Sequence, residues 1–167
     1  NIVPIPPALD VLAQIAITLA GFTGILGAIQ RRTAALTQRE KLHLSVLIIT
    51  SISTVALCFI PGWLLLIPGA GDRIWLWSIR VLLVAHLLNW GVAIAHMKEW
   101  KPLMNELAGA EKFFVIAVMP VGVIGILAEM AIASGYMVAY SPFAYVGVMI
   151  HLLSVGLMNF LCLLLRP

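Results

Sequence analysis

Residues 112–135 read KFFVIAVMPVGVIGILAEMAIASG, and after Lys112 the single charged side chain in this stretch is Glu129. A helix of that length, rising 1.5 Å per residue, spans a hydrocarbon core of about 30 Å. In lipid the backbone must satisfy its own N–H and C=O groups, so an unbroken apolar run predicts a transmembrane helix. The strands of a membrane barrel alternate in shorter segments, a pattern this sequence lacks.

Similar runs occupy roughly 8–29, 43–67, 74–96 and 140–165. Together they predict an all-α polytopic membrane protein, a five-transmembrane-helix bundle forming a single domain over 1–167. Composition agrees, with 62% of the 167 residues hydrophobic and 10% charged. Soluble domains carry about 45–50% apolar and about 25% charged residues. The net charge of +3 is too sparse for a nucleic-acid binder, and the expected partner is the lipid bilayer. Ala8–Ile29 lacks the basic flank and small-residue cleavage site of a signal peptide, so it is expected to be a permanent span. Cys58 and Cys162 fall at depths differing by roughly 20 Å, too far apart to bridge within one chain.

The breaks between spans have local causes. Gln30-Arg31-Arg32 ends the first helix, and Thr37-Gln38-Arg39-Glu40 has the spacing of a capping box for the second. Pro68-Gly69-Ala70-Gly71-Asp72 makes a tight turn. Residues 97–111 mix Lys98, Glu99, Lys101 and Glu106 with Trp100, Leu103, Met104 and Leu107, which suits either an amphipathic stretch on the membrane surface or a solvated loop.

Basic residues set the sidedness. Arg31, Arg32, Arg39, Lys41, Lys98, Lys101, Lys112 and Arg166 fall on one side, Arg73 alone falls on the other, and Arg80 lies within a span. The positive-inside rule then predicts an N-terminus outside and a C-terminus in the cytoplasm. Trp63, Trp75, Trp77, Tyr136, Tyr140 and Tyr145 collect toward the outer interface, as an aromatic belt would.

Depth counted from the outer helix ends places the polar groups. Arg80 and Glu129 each fall about six residues below an outer end, and an unpaired charge there costs at least ~2.5–3.5 kcal/mol if it faces lipid. A direct Arg80–Glu129 pair is therefore expected, inside the bundle or across a subunit contact, with Gln14 at a similar depth able to add a hydrogen bond. Gly122, Gly125 and Ala133 share the helical face of Glu129, which predicts that the carboxylate points into protein. Such a pair can serve a pathway or simply fix helix register.

His86 and His151 fall near the midplane on different helices, with Asn89 beside His86 and Ser154 beside His151. They can serve a proton relay, act as axial ligands of a b-type haem, or each bond a neighbour. No metal site other than that haem alternative is expected, and no cofactor on the preferred reading. In the first helix Ala16, Ala20, Gly24 and Ala28 recur every four residues, a small-residue ridge for close helix contact. Pro61 and Pro120 interrupt the second and fourth spans, and Ser51, Ser53 and Thr54 form a polar patch suited to packing.

Phosphate-binding glycine loops, His-Glu-x-x-His zinc helices, nucleophile elbows and TVGYG filters are absent from the sequence, so no catalytic residues are assigned. The stretch from Gln14 to Arg32, with Ala20-Gly21-Phe22-Thr23-Gly24-Ile25 before the paired arginines, resembles the opening helix of small bacterial integral membrane proteins. That likeness covers one helix and implies no activity. The functional expectation is a small inner-membrane protein, homo-oligomeric or part of a larger membrane complex, forming a polar pathway or pocket for a proton, ion or small solute. The alternatives are a non-catalytic scaffold subunit and a haem-carrying redox subunit.

Overall fold

The computed structural model describes residues 5–33, 37–69, 71–95 and 110–164. Five long helices account for most of them: α1 (Ala8–Thr33), α2 (Gln38–Leu65), α3 (Ile74–Ala95), α4 (Ala110–Ala133) and α5 (Ser141–Leu164). Each contains a segment long and apolar enough to cross a membrane. Large apolar side chains such as Ile17, Ile52, Leu88, Ile124, Leu127 and Phe143 stand exposed along all five. A water-soluble surface does not tolerate apolar area on that scale, whereas acyl chains solvate it. The chain is a small all-α polytopic membrane protein.

The helices match the apolar runs to within a few residues. The largest difference is at α2, which starts at Gln38 because the capping box forms. Glu40 Oε2 accepts from the Thr37 backbone N–H at 2.6 Å and from its hydroxyl at 2.7 Å, and the Glu40 N–H donates back to Thr37 Oγ1 at 3.3 Å. Both α2 and α4 continue through their prolines, Pro61 and Pro120. The surface stretch expected around 97–111 lies, as far as residue 109, outside the described residues, as do the side chains of Arg31 and Arg32.

The chain divides into two compact units. One is built on Ile60–Val148, with α3 and α4 packed antiparallel and the nearby ends of α2 and α5. The segment before α3 turns at Gly69, whose φ of 84° suits glycine, and then forms a short 3-10 turn over Gly71–Arg73. The other unit comprises Pro6–Phe59 with Met149–Pro167. Leu19, Leu47 and Leu163 form its buried cluster, joined by Leu44, Leu153 and Phe160, and the Phe22 and Phe160 rings approach to 6.2 Å. Cys58 and Cys162 are free thiols.

The end of α4 decides what happens at the site. The Gly135 N–H bonds the Ile132 carbonyl, and the Tyr136 N–H bonds that of Ala131. Gly135 has a φ of 101°. This is a Schellman ending, which needs a left-handed residue and satisfies two of the last carbonyls. Ser134 takes the Met130 carbonyl, and the Ala133 carbonyl is left for a side chain.

Candidate functional site

One face of α3 carries Trp75, Ser78, Leu82 and His86 at successive turns, all buried. The face of α4 against it carries Gly122, Gly125, Glu129 and Ile132. A Cβ built at Gly125 would touch His86 Cε1 at 3.7 Å and Val148 at 3.6 Å, so the bare glycine is the seat of the imidazole ring. The stripe of small residues thus does face protein, and Glu129 is 0% exposed.

The partner of Glu129 differs from the one expected. His86 Nδ1 lies 3.0 Å from Glu129 Oε1, with 2% and 0% of the two side chains exposed. Arg80 instead points its guanidinium at the carbonyl that the Schellman ending leaves over: Nε and Nη2 donate to Ala133 O at 3.4 and 3.3 Å. Its Cζ also sits 4.9 Å above the Trp77 ring.

The reason is directional. Side chains on a helix lean toward its N-terminus. In the antiparallel pair Arg80 therefore leans toward the Ile74 end and Glu129 toward the Ala110 end, so the two lean apart. His86, six residues further along α3 than Arg80, leans back toward the carboxylate. Six residues amount to about 9 Å of axial displacement.

Glu129 Oε2 is buried without a hydrogen-bond partner, and so are Trp75 Nε1 and Ser78 Oγ in the same unit. The Trp75 ring meets Tyr145 edge-on at 6.0 Å, and both residues are core. That corrects their assignment to the interfacial belt, whereas Trp63, Trp77, Tyr136 and Tyr140 are exposed as a belt requires.

The remaining expected residues fall on α1, α3 and α5. Gln14 is exposed on α1, and its backbone carbonyl accepts the Thr18 hydroxyl at 2.8 Å. Asn89 is half-buried on α3. His151 is half-buried and belongs to the second unit, while His86 belongs to the first. Along the α1 ridge Ala16 is fully buried, Ala20 half-buried, and Gly24 and Ala28 exposed. Among the described residues no three His, Cys, Asp or Glu side chains come together as a metal-binding group.

Sequence reasoning missed a second histidine pair. His43 Nδ1 lies 2.7 Å from Asn159 Oδ1, and Asn159 Nδ2 donates to the Val155 carbonyl at 2.8 Å. It also missed the close approach of α2 to α5, where a Cβ on Gly156 would stand 2.9 Å from Thr50 Oγ1. The buried α3 face carries no periodic signal in the sequence, because this helix is apolar on every side. Comparison with known protein families, curated proteins and solved structures gives no match to this chain.

Proposed function

We propose that the protein provides a polar route for protons across its membrane, with the His86–Glu129 pair as the group that takes up and releases them. The supporting observation is the burial of both side chains against each other within helices of membrane-spanning length. Ionisable groups are costly there and default to a functional assignment. With one proton shared between imidazole and carboxylate the pair is neutral overall; a second proton, or none, leaves a net charge in a medium that opposes it. Such a pair suits passing a proton onward.

The donor set favours a proton over a larger ion. The carboxylate offers a visitor one unpartnered oxygen, Oε2, and a dehydrated metal cation wants about six oxygen ligands. The distribution of basic residues supports an orientation with the Ile74 end of α3 outside.

The test is proton flux into proteoliposomes carrying an internal pH dye. Flux above that of empty vesicles, lost in Glu129→Gln and in His86→Phe, supports the reading; wild-type flux at the background level ends it.

A second reading, a scaffold subunit or homo-oligomer assembled through α1, draws on Gly21 and Gly24, which are exposed with nothing within 4 Å of an added Cβ. Native mass measurement in detergent tests it. A defined stoichiometry that Gly24→Leu reduces to monomer favours it, and a wild-type monomer excludes it.

A further inference from the structure

Hydroxyls on these helices mostly turn back on their own backbone. Thr18, Thr23, Thr50, Thr54 and Ser154 each donate to the carbonyl four residues earlier. Ser78 does not: its Oγ is fully buried and unpartnered. One turn closer to the Ile74 end, Trp75 Nε1 is also buried and unpartnered. An indole N–H left dry in an apolar interior loses the free energy of a hydrogen bond. Native proteins satisfy such groups with ordered water wherever protein atoms do not.

Among the described residues of this unit, these two atoms and Glu129 Oε2 are the buried side-chain polar atoms without a hydrogen-bond partner, two on α3 and one on α4. Trp75, Ser78 and His86 share one helical face in that order from the Ile74 end.

We infer that Trp75 and Ser78 hold the water molecules through which protons reach the His86–Glu129 pair from the Ile74 end of α3, with Leu82 as the apolar barrier in that route. This rests on the proton-route reading above. Trp75 Nε1–H is a donor only, whereas the Ser78 hydroxyl donates and accepts. The indole therefore anchors a water oxygen, and the serine relays a proton by accepting one hydrogen bond and donating the next. Ser78 and His86 are separated by about 12 Å along the helix axis, at 1.5 Å per residue. Hydrogen-bonded waters about 2.8 Å apart cover that distance in a short file. Leu82 is fully buried midway along it. An apolar constriction of this kind passes protons only when it wets, which would make the route intermittent.

Water at Ser78 is measurable without any flux. In a Cys58→Ala/Cys162→Ala background, Ser78→Cys, Ile79→Cys and Val84→Cys are exposed in liposomes to a small water-soluble methanethiosulfonate, and labelling is read by mass. Only a thiolate reacts, and a thiol in a dry apolar setting stays protonated, so Ser78→Cys is expected to label at least about tenfold faster than fully buried Ile79→Cys or lipid-facing Val84→Cys. Equal, negligible labelling at all three overturns the inference.

In the otherwise native chain, Ser78→Ala is expected to lower proton flux several-fold and Leu82→Ser to raise it, with the detergent melting temperature of Ser78→Ala unchanged. Flux untouched by Ser78→Ala overturns the inference as well, and that arm decides if the cysteine variant does not fold. Selective labelling of Ser78→Cys in a protein without flux supports the hydrated strip while the transport reading fails. Flux that needs Glu129 beside an inert Ser78→Cys leaves transport standing and removes the strip.

Discussion

Arg80 caps α4 by donating two N–H bonds to the carbonyl of Ala133, the last residue of that helix. The C-terminal end of a helix carries a partial negative charge and orphan carbonyls. A guanidinium placed there meets both needs, and stacking on Trp77 adds a cation–π contact.

Arg80→Met is therefore expected to lower stability by about 1 kcal/mol through the lost cap and ring contact, while leaving His86 and Glu129 in place. Arg80→Lys should recover part of it, because an ammonium keeps the charge but lacks the planar fork. Melting in detergent checks both, and a loss far larger than this would mean that Arg80 supports the buried pair after all.

For that pair, the single substitutions should be worse than the double. Glu129→Leu and His86→Leu each strand a buried polar partner and should cost about 3–5 kcal/mol. The double variant buries two apolar groups and is expected to fall well short of the sum. Reversible unfolding in mixed micelles supplies the cycle. Simple additivity would show that the 3.0 Å contact carries no coupling.

Helix contact between α2 and α5 makes a steric prediction. Gly156→Ala places a Cβ 2.9 Å from Thr50 Oγ1, and that hydroxyl is held by the carbonyls of Val46 and Leu47 at 2.8 and 3.2 Å. Overpacking of this kind costs roughly 1–3 kcal/mol. Thr50→Ala in the same chain should return most of the loss, and thermal unfolding of the single and double variants reads it out.

At the start of α2, Thr37→Ala removes one side of the capping box and should cost about 1 kcal/mol. Because the Glu40 side chain bonds back to Thr37 and is buried, Glu40→Ala is expected to be at least as damaging. Faster amide exchange confined to the first turn of α2 is the expected signature, measured by hydrogen–deuterium exchange.

Much of the fold was legible because span length and charge exclusion are one-dimensional properties. The five helices and the Thr37–Glu40 cap follow directly from residue order. So does the inward aim of Glu129, since Gly122 and Gly125 lie on its face. Its partner was harder to read. Counting Cα depth from assumed helix ends ignored that side chains on antiparallel helices lean in opposite directions, which separates Arg80 from Glu129 and brings His86 in. It also ignored the carbonyl left over by the Gly135 ending, which gives Arg80 a place to go. Gln14 shows a different limit. Where every face of a helix is apolar, periodicity does not say which one meets lipid, and Gln14 lies on an exposed face of α1. Trp75 and Tyr145 sit near helix ends, where aromatic belts are found, but they turn inward onto each other.

The amide of Asn159 fixes where a hydrogen sits. Its nitrogen is spent on Val155, so the atom facing His43 is a carbonyl oxygen, which only accepts. The imidazole must then keep its hydrogen on Nδ1, a tautomer dictated by the neighbouring helix. In a nitrogen-15 spectrum that ring becomes a label installed by the protein itself: its signal reports whether α2 and α5 remain docked, whatever the molecule carries or does not carry across the bilayer.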